Sequence, residues 1–277
     1  MVAGRIASAL ARSCHPGPTV AVTLFVTVLF ALAGNGLSTC AIGSVAVLSG
    51  QLSIGWSNDR LDYRRDQHAD RTDKPVARGE VSRRIVDAAI VIAVGTSVLF
   101  SLLLGWRAGL LHLAAVGCGW LYNVWLKRTA LSWLPYVLAF GSLPAIATLA
   151  LPDPRVAGAW ALAGAAALGL AGHLTNALPD LQDDLDTGVR GLPHRLGARP
   201  SLLMALAALV IADVLIALGP PGRSAAALAV AGAVVVLTAL VAVPLLRRPA
   251  ARASFYVVIA LVALELVLLV WRGHRLR

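Results

Sequence analysis

Asn58, Asp62 and Asp66 are spaced four residues apart, and so are Asn176, Asp180 and Asp184. On a helix this spacing brings all three side chains of each set to one face. Carboxylates stacked in this way repel one another unless a cation neutralises them. Two such sets, with Asn oxygens beside them, supply the hard donors that Mg²⁺ takes while it keeps waters and substrate phosphates in its shell. Cations suited to a diphosphate stand close by: Arg71 and Lys74 after the first set, Lys127 and Arg128 between the sets, and Arg190 after the second. There they would stabilise a departing pyrophosphate. Either cluster alone would read as a solvated helix end. The same Asn-x-x-x-Asp-x-x-x-Asp spacing found twice favours a site.

The surrounding chain must hold these charges in an apolar setting. Of 277 residues, 58% are hydrophobic and only 14% charged, against about 25% charged in an average soluble domain; mean hydropathy is +0.77. An all-α, polytopic membrane bundle is expected, built as one domain over residues 1–277 around a central cavity. Nine apolar segments are long enough to span, at roughly 18–37, 38–57, 85–105, 107–125, 131–151, 156–177, 200–218, 225–245 and 254–271. The first resembles a signal peptide superficially and reads as a retained transmembrane helix. Nine spans place both acidic sets on one side, together with 18 of the 24 Lys and Arg residues. The positive-inside rule then puts that side, its capping loops and the N-terminus in the cytoplasm. The net charge of +10 is thereby explained by topology and anionic ligands, with no nucleic acid as partner. Cys14, Cys40 and Cys118 have no metal-type spacing and read as small apolar fillers.

The acidic residues cluster more than topology requires. Of 14, six lie in 59–80 and four in 180–186. The stretch Asn58-Asp59-x-x-Asp62-x-x-x-Asp66, followed by Arg71-Thr72-x-Lys74-Pro75 and Gly79, resembles the first aspartate-rich motif of the UbiA superfamily of intramembrane prenyltransferases. Asn176-x-x-x-Asp180-x-x-x-Asp184-x-x-x-Gly188, with Leu192-Pro193 and Arg195-Leu196-Gly197 after it, resembles the second, in the form nearest the menaquinone, homogentisate and chlorophyll branch. Tyr122-x-x-x-x-Lys127-Arg128 is similar to the family's segment after its fourth helix. The resemblance covers roughly residues 15–200, and nine helices agree with the family's fold.

This resemblance implies that Asp62, Asp66, Asp180 and Asp184, with Asn58 and Asn176, hold Mg²⁺ against an isoprenoid diphosphate. Arg71, Lys74, Lys127, Arg128, Arg190 and Tyr122 would contact the donor. A small aromatic or lipid-precursor acceptor takes the prenyl group, and pyrophosphate leaves. The partners are then the donor, a hydrophobic or aromatic acceptor and the membrane lipid. A helix bundle open to lipid suits a carbocation that must be kept from water. The alternative within the superfamily is a terpene cyclase, which quenches the cation within its own chain. A cation transporter is a third reading, disfavoured because both acidic sets lie at one surface and not at the midplane between inverted repeats.

Other residues carry weaker signals. Asp213 and Glu265 fall inside spans, where ionisable groups often mark function; each reads first as a protonated carboxyl bonded to a neighbouring helix, and a cavity role for one is the alternative. His173, seven residues before Asp180, either touches substrate or packs as a satisfied histidine. Tyr122, and less so Trp125, could line the cavity mouth. His112 reads as structural, and His68, Asp183 and Asp186 as solvated. Most tryptophans near span ends fit an interfacial belt.

Overall fold

A computed structural model describes residues 2–68, 74–222, 224–272 and 276. Apart from one 3₁₀ turn at Leu126–Arg128, its regular structure is α-helical: α1 (Val2–Ser13), α2 (Pro16–Leu32), α3 (Leu37–His68), α4 (Arg83–Leu103), α5 (Trp106–Val124), α6 (Leu134–Leu149), α7 (Ala159–Asn176), α8 (Leu181–Asp186), α9 (Leu192–Leu196), α10 (Ala198–Leu218), α11 (Ala225–Arg247) and α12 (Arg252–Trp271). Each of the nine apolar segments overlies one long helix. By length and composition, five described helices can cross a membrane: α3, α4, α10, α11 and α12. α6 is apolar but shorter.

Six of the long helices form a closed circuit, which a contact of α2 on α6 crosses. α2 packs on α3, α3 on α4 and α5, α5 on α6, α6 on α7, and α7 on α10 and α12; α12 touches α2 to close the circuit. Small residues permit this closeness, as they do wherever helices meet without a hydrophobic drive between them. A Cβ on Gly50 would stand 2.8 Å from Val116 Cγ2, one on Gly119 2.5 Å from Ile54 Cδ1, and one on Gly169 2.6 Å from the Tyr136 carbonyl. Buried Ser49, Ser53 and Ser57 continue that narrow stripe along α3, each returning its hydroxyl to a backbone carbonyl of its own helix.

Two features depart from expectation. The first is α1, a helix that the apolar segments did not foresee. It meets α2 at 73° and lays Ile6, Ala9 and Leu10 against Trp56, Val76, Val81 and Val86. The Trp56 indole donates to the Leu10 carbonyl at 2.9 Å, and Arg12 pairs with Glu80. His15 makes the corner between the helices with φ 55° and ψ 67°, a left-handed conformation that His adopts more readily than most residues.

The second concerns the second acidic set. α3 does run on past its apolar part and carries Asn58, Asp62 and Asp66 on one helix, but α7 stops at Asn176. Pro179 has no N–H to give and disfavours helix in the residue before it, so the chain turns and restarts as α8. Asp180 caps α8, and Asp184 lies one turn on, its N–H donating to the Asp180 carbonyl at 2.8 Å. Asn176 is exposed and shares no helical face with the two aspartates.

A Cβ on Gly55 would sit 2.4 Å from the Cys14 carbonyl oxygen, so Gly55 lets the α1–α2 corner rest on α3. Gly55→Ala should cost about 1–3 kcal/mol by overpacking, read as a lowered thermal midpoint in detergent, with faster proteolysis of α1.

Candidate active site

The first acidic set is buried. Asp59, Asp62 and Asp66 are each 2% exposed. Burying charge is costly unless it is paired, and each aspartate has a cation. Lys127 Nζ donates to both oxygens of Asp62 at 2.7 Å. Arg65, one turn along α3, lies 3.1 Å from Asp62 Oδ2 and 3.5 Å from Asp66 Oδ1. Lys74 Nζ donates to Asp59 Oδ1 at 2.7 Å, and His15 Nε2 lies 3.3 Å from both that oxygen and Lys74 Nζ. Lys127 is itself 4% exposed. Burial pushes its ammonium below the ordinary lysine range, while Asp62 pulls in the opposite direction.

Asn58 is steadied from α5. Its amide reaches Asn123 Oδ1 at 3.4 Å, while Asn123 Nδ2 donates to the Ile54 carbonyl at 2.8 Å and to Ser57 Oγ at 2.9 Å. The α5 terminus thus docks on the polar face of α3, and the 3₁₀ turn after it aims Lys127 at Asp62.

The aspartates of the second set are carried by α8 and the residue before it. His194 Nε2 is 3.2 Å from Asp184 Oδ2. Ser132 joins this region to the α5–α6 connection: its hydroxyl accepts from the Leu192 N–H at 2.8 Å and lies 3.0 Å from His173 Nε2. Beneath, Tyr122 meets Tyr136 edge-on at 5.2 Å and His173 at 5.9 Å, and Tyr136 lies 4.8 Å from His173. Tyr122 lies within electrostatic reach of both Asp62 and Asp184, so this ring cluster, the aromatic floor of the site, lies near one aspartate of each motif.

Asp62 and Lys127 meet directly, and Arg65 links Asp62 to Asp66. Lys74, expected to contact the diphosphate, pairs with Asp59. Tyr122 belongs to the floor, packed on rings, while Trp125 is exposed and outside it. Arg128 and Arg190 are exposed at the rim with no ion pair among the described residues, and Arg71 lies outside the described residues. Asp183 and Asp186 are exposed as expected. His173 is the packed, hydrogen-bonded histidine of the two readings, and His112, buried on Ser101 Oγ at 2.7 Å, is structural. His15, Arg65, Asn123, Ser132 and His194 were given no role by the sequence reading. The signals that could have found them are slight: His194 directly follows Leu192-Pro193, and Asn123 follows Tyr122.

For a divalent cation the donor chemistry fits, since the carboxylates and amides of both motifs are hard oxygens. Among the described residues no three His, Cys, Asp or Glu side chains converge as a ready cage. The shell would therefore be completed by waters and diphosphate oxygens, as is usual for Mg²⁺.

The fold defines a helical membrane bundle whose first aspartate motif is buried against cations at one end. The chain belongs to the UbiA prenyltransferase family, whose model matches residues 2–264. It is 26% identical over 164 residues to a 4-hydroxybenzoate octaprenyltransferase from Enterobacter sp. (strain 638), which covers 58% of this chain and 57% of that protein. The chain thus spans little over half the length of the curated relatives it matches. Among solved structures, a UbiA homologue from Archaeoglobus fulgidus bound to GPP and Mg²⁺ superposes with a TM-score of 0.72 at 15% identity, covering 96% of this chain and 99% of that one. The apo UbiA homologue from Aeropyrum pernix K1 gives 0.71 at 20% identity, over 93% and 96%.

Removing one partner of a buried ion pair costs about 3–5 kcal/mol. Lys127→Met should destabilise the metal-free protein by that amount, and added Mg²⁺ should restore part of the loss, because a cation again faces Asp62. Thermal unfolding in detergent with and without EDTA measures both effects.

Proposed function

We propose that this protein transfers a prenyl group from an isoprenoid diphosphate to a small acceptor, aromatic or lipid-precursor in character, and releases pyrophosphate. The observation that supports this reading is that Tyr122 lies within electrostatic reach of Asp62 and of Asp184, one aspartate from each motif. The family match and the GPP and Mg²⁺ bound by the A. fulgidus homologue support the donor class. The 4-hydroxybenzoate octaprenyltransferase relative supports an aromatic acceptor.

In this reading Asp62, Asp66, Asp180 and Asp184, with Asn58, would hold Mg²⁺, which when bound would neutralise the diphosphate and assist its departure; Asn176, off that face, is left out of the set. Lys127 and Arg65 keep the first carboxylates in place and offset their mutual repulsion until the donor binds. Lys74, Arg128 and Arg190, together with Arg71, receive the charge that builds on the leaving pyrophosphate. Tyr122 and Tyr136 present ring faces and edges to the reacting end of the prenyl chain; a ring face stabilises a nearby cation and both rings exclude water. Asn123 and Ser132 fix the orientation of Asn58 and of the α8–α9 segment. Nine spans would place this end of the bundle at the cytoplasmic face, as the balance of Lys and Arg suggests.

Pyrophosphate release from geranyl, farnesyl and geranylgeranyl diphosphates, with lipid extracts read by mass spectrometry, tests the reading. Release should require both Mg²⁺ and an added aromatic or lipid-precursor acceptor, and Asp62→Asn or Asp180→Asn should each lower kcat by about 10²-fold or more, the scale of losing one electrostatic stabiliser. A cyclised product without acceptor would make the protein a cyclase. Release unaffected by either substitution would remove the proposed site.

A further inference from the structure

Away from the aspartate motifs, two further carboxylates are buried within the apolar helices. Asp213 of α10 is 1% exposed and Glu265 of α12 is 0% exposed, and both helices are long and apolar enough to cross a membrane. α10 packs on α12, and both pack on α7, which brings the two carboxyls within electrostatic reach of each other. Asp213 Oδ1 and both Glu265 oxygens have no well-formed hydrogen bond to any described protein group. Asp213 lies 14 residues beyond Arg199, about 20 Å along the axis at 1.5 Å per residue, so the pair is far from the Lys and Arg of the active-site end.

Among the described residues, no cation reaches it from the surrounding helices. α2 contains no titratable residue, and α7 contains only His173, held by Ser132 at the active-site end. α11 and α12 have Arg247 and Arg252 at their ends nearest that site, and Tyr256 of α12 is exposed. Arg272, past the other end of α12, donates to the Gly222 carbonyl. Two facing carboxylates in an apolar interior with no counter-ion cannot both be charged: each costs several kcal/mol to desolvate, and like charges in contact add to that cost.

We propose that Asp213 and Glu265 form an intramembrane proton-binding site, a carboxyl–carboxyl hydrogen bond that carries a proton between α10 and α12. The ligand is the proton itself. Its bond satisfies oxygens that otherwise have no partner, and it ties the last helix to α10. This holds whether or not the protein transfers prenyl groups.

Infrared spectroscopy of the intact protein in lipid nanodiscs at neutral pH tests the proposal. The wild type minus Asp213→Asn/Glu265→Gln difference should contain the carbonyl stretch of a protonated carboxylic acid. That band should move on D₂O exchange and persist in excess NaCl or KCl. Each single amide variant should shift or remove it, because each replaces one of the two partners; these variants also serve if the double variant does not fold. Absence of the band would mean that both groups are ionised, and a band lost on adding Na⁺ or K⁺ would make this a cation site; either result overturns the proposal. So would a band untouched by both single variants. As an independent check, Glu265→Gln should keep the wild-type thermal midpoint and Glu265→Leu should lower it, since only the amide retains a hydrogen bond to Asp213. Equal midpoints for the two variants would exclude the bond.

Discussion

The contact between Lys127 and Asp62 organises the active-site end of this molecule. Both groups are nearly inaccessible to water, and neither would tolerate that burial alone. Their mutual attraction in a low-dielectric setting offsets the desolvation of each, and the geometry is favourable because one ammonium reaches both carboxylate oxygens. The pair also joins α3 to the turn between α5 and α6, so the electrostatic requirement of one carboxylate fixes the relation of three helices. The Asn123 and Ser57 bonds reinforce the same junction from below.

From that junction the rest follows by proximity. Ser132, a few residues past Lys127, connects to the backbone at Leu192 and to His173, which brings the α8–α9 segment over the bundle. Tyr122, one turn before Lys127, forms the floor with Tyr136 and His173. The small-residue stripes of α3 and α7 bring the helices close enough for these short polar side chains to meet. Packing and chemistry are therefore coupled: the glycines and serines that let the helices approach also place the groups that hold the acids.

The helical spacing of the first motif was legible in the sequence because an i, i+4 repeat has one geometric meaning on a helix. The same logic failed for Asn176, where the likeness of the two motifs hid the effect of Pro179. The partner of each acid was less legible. Lys127 and Asp62 are 65 residues apart, and spacing alone could not choose among the nearby cations or send Lys74 to Asp59. α1 escaped notice because averaging hydropathy over a span-length stretch erases a short helix with one apolar face. Asp213 and Glu265 were each conspicuous, but α11 separates them in the chain, and only the packing of α10 on α12 reveals that they belong together.

The break at Pro179 makes the two jaws of the site unequal in stiffness. The first motif rides on a 32-residue helix clamped on several sides. The second rides on a helix of six residues, a length that cannot sustain itself in isolation, so its position depends on tethers such as Asp184 to His194. The diphosphate guest proposed above would therefore be held between one element fixed by its own length and packing and another fixed only by its tethers.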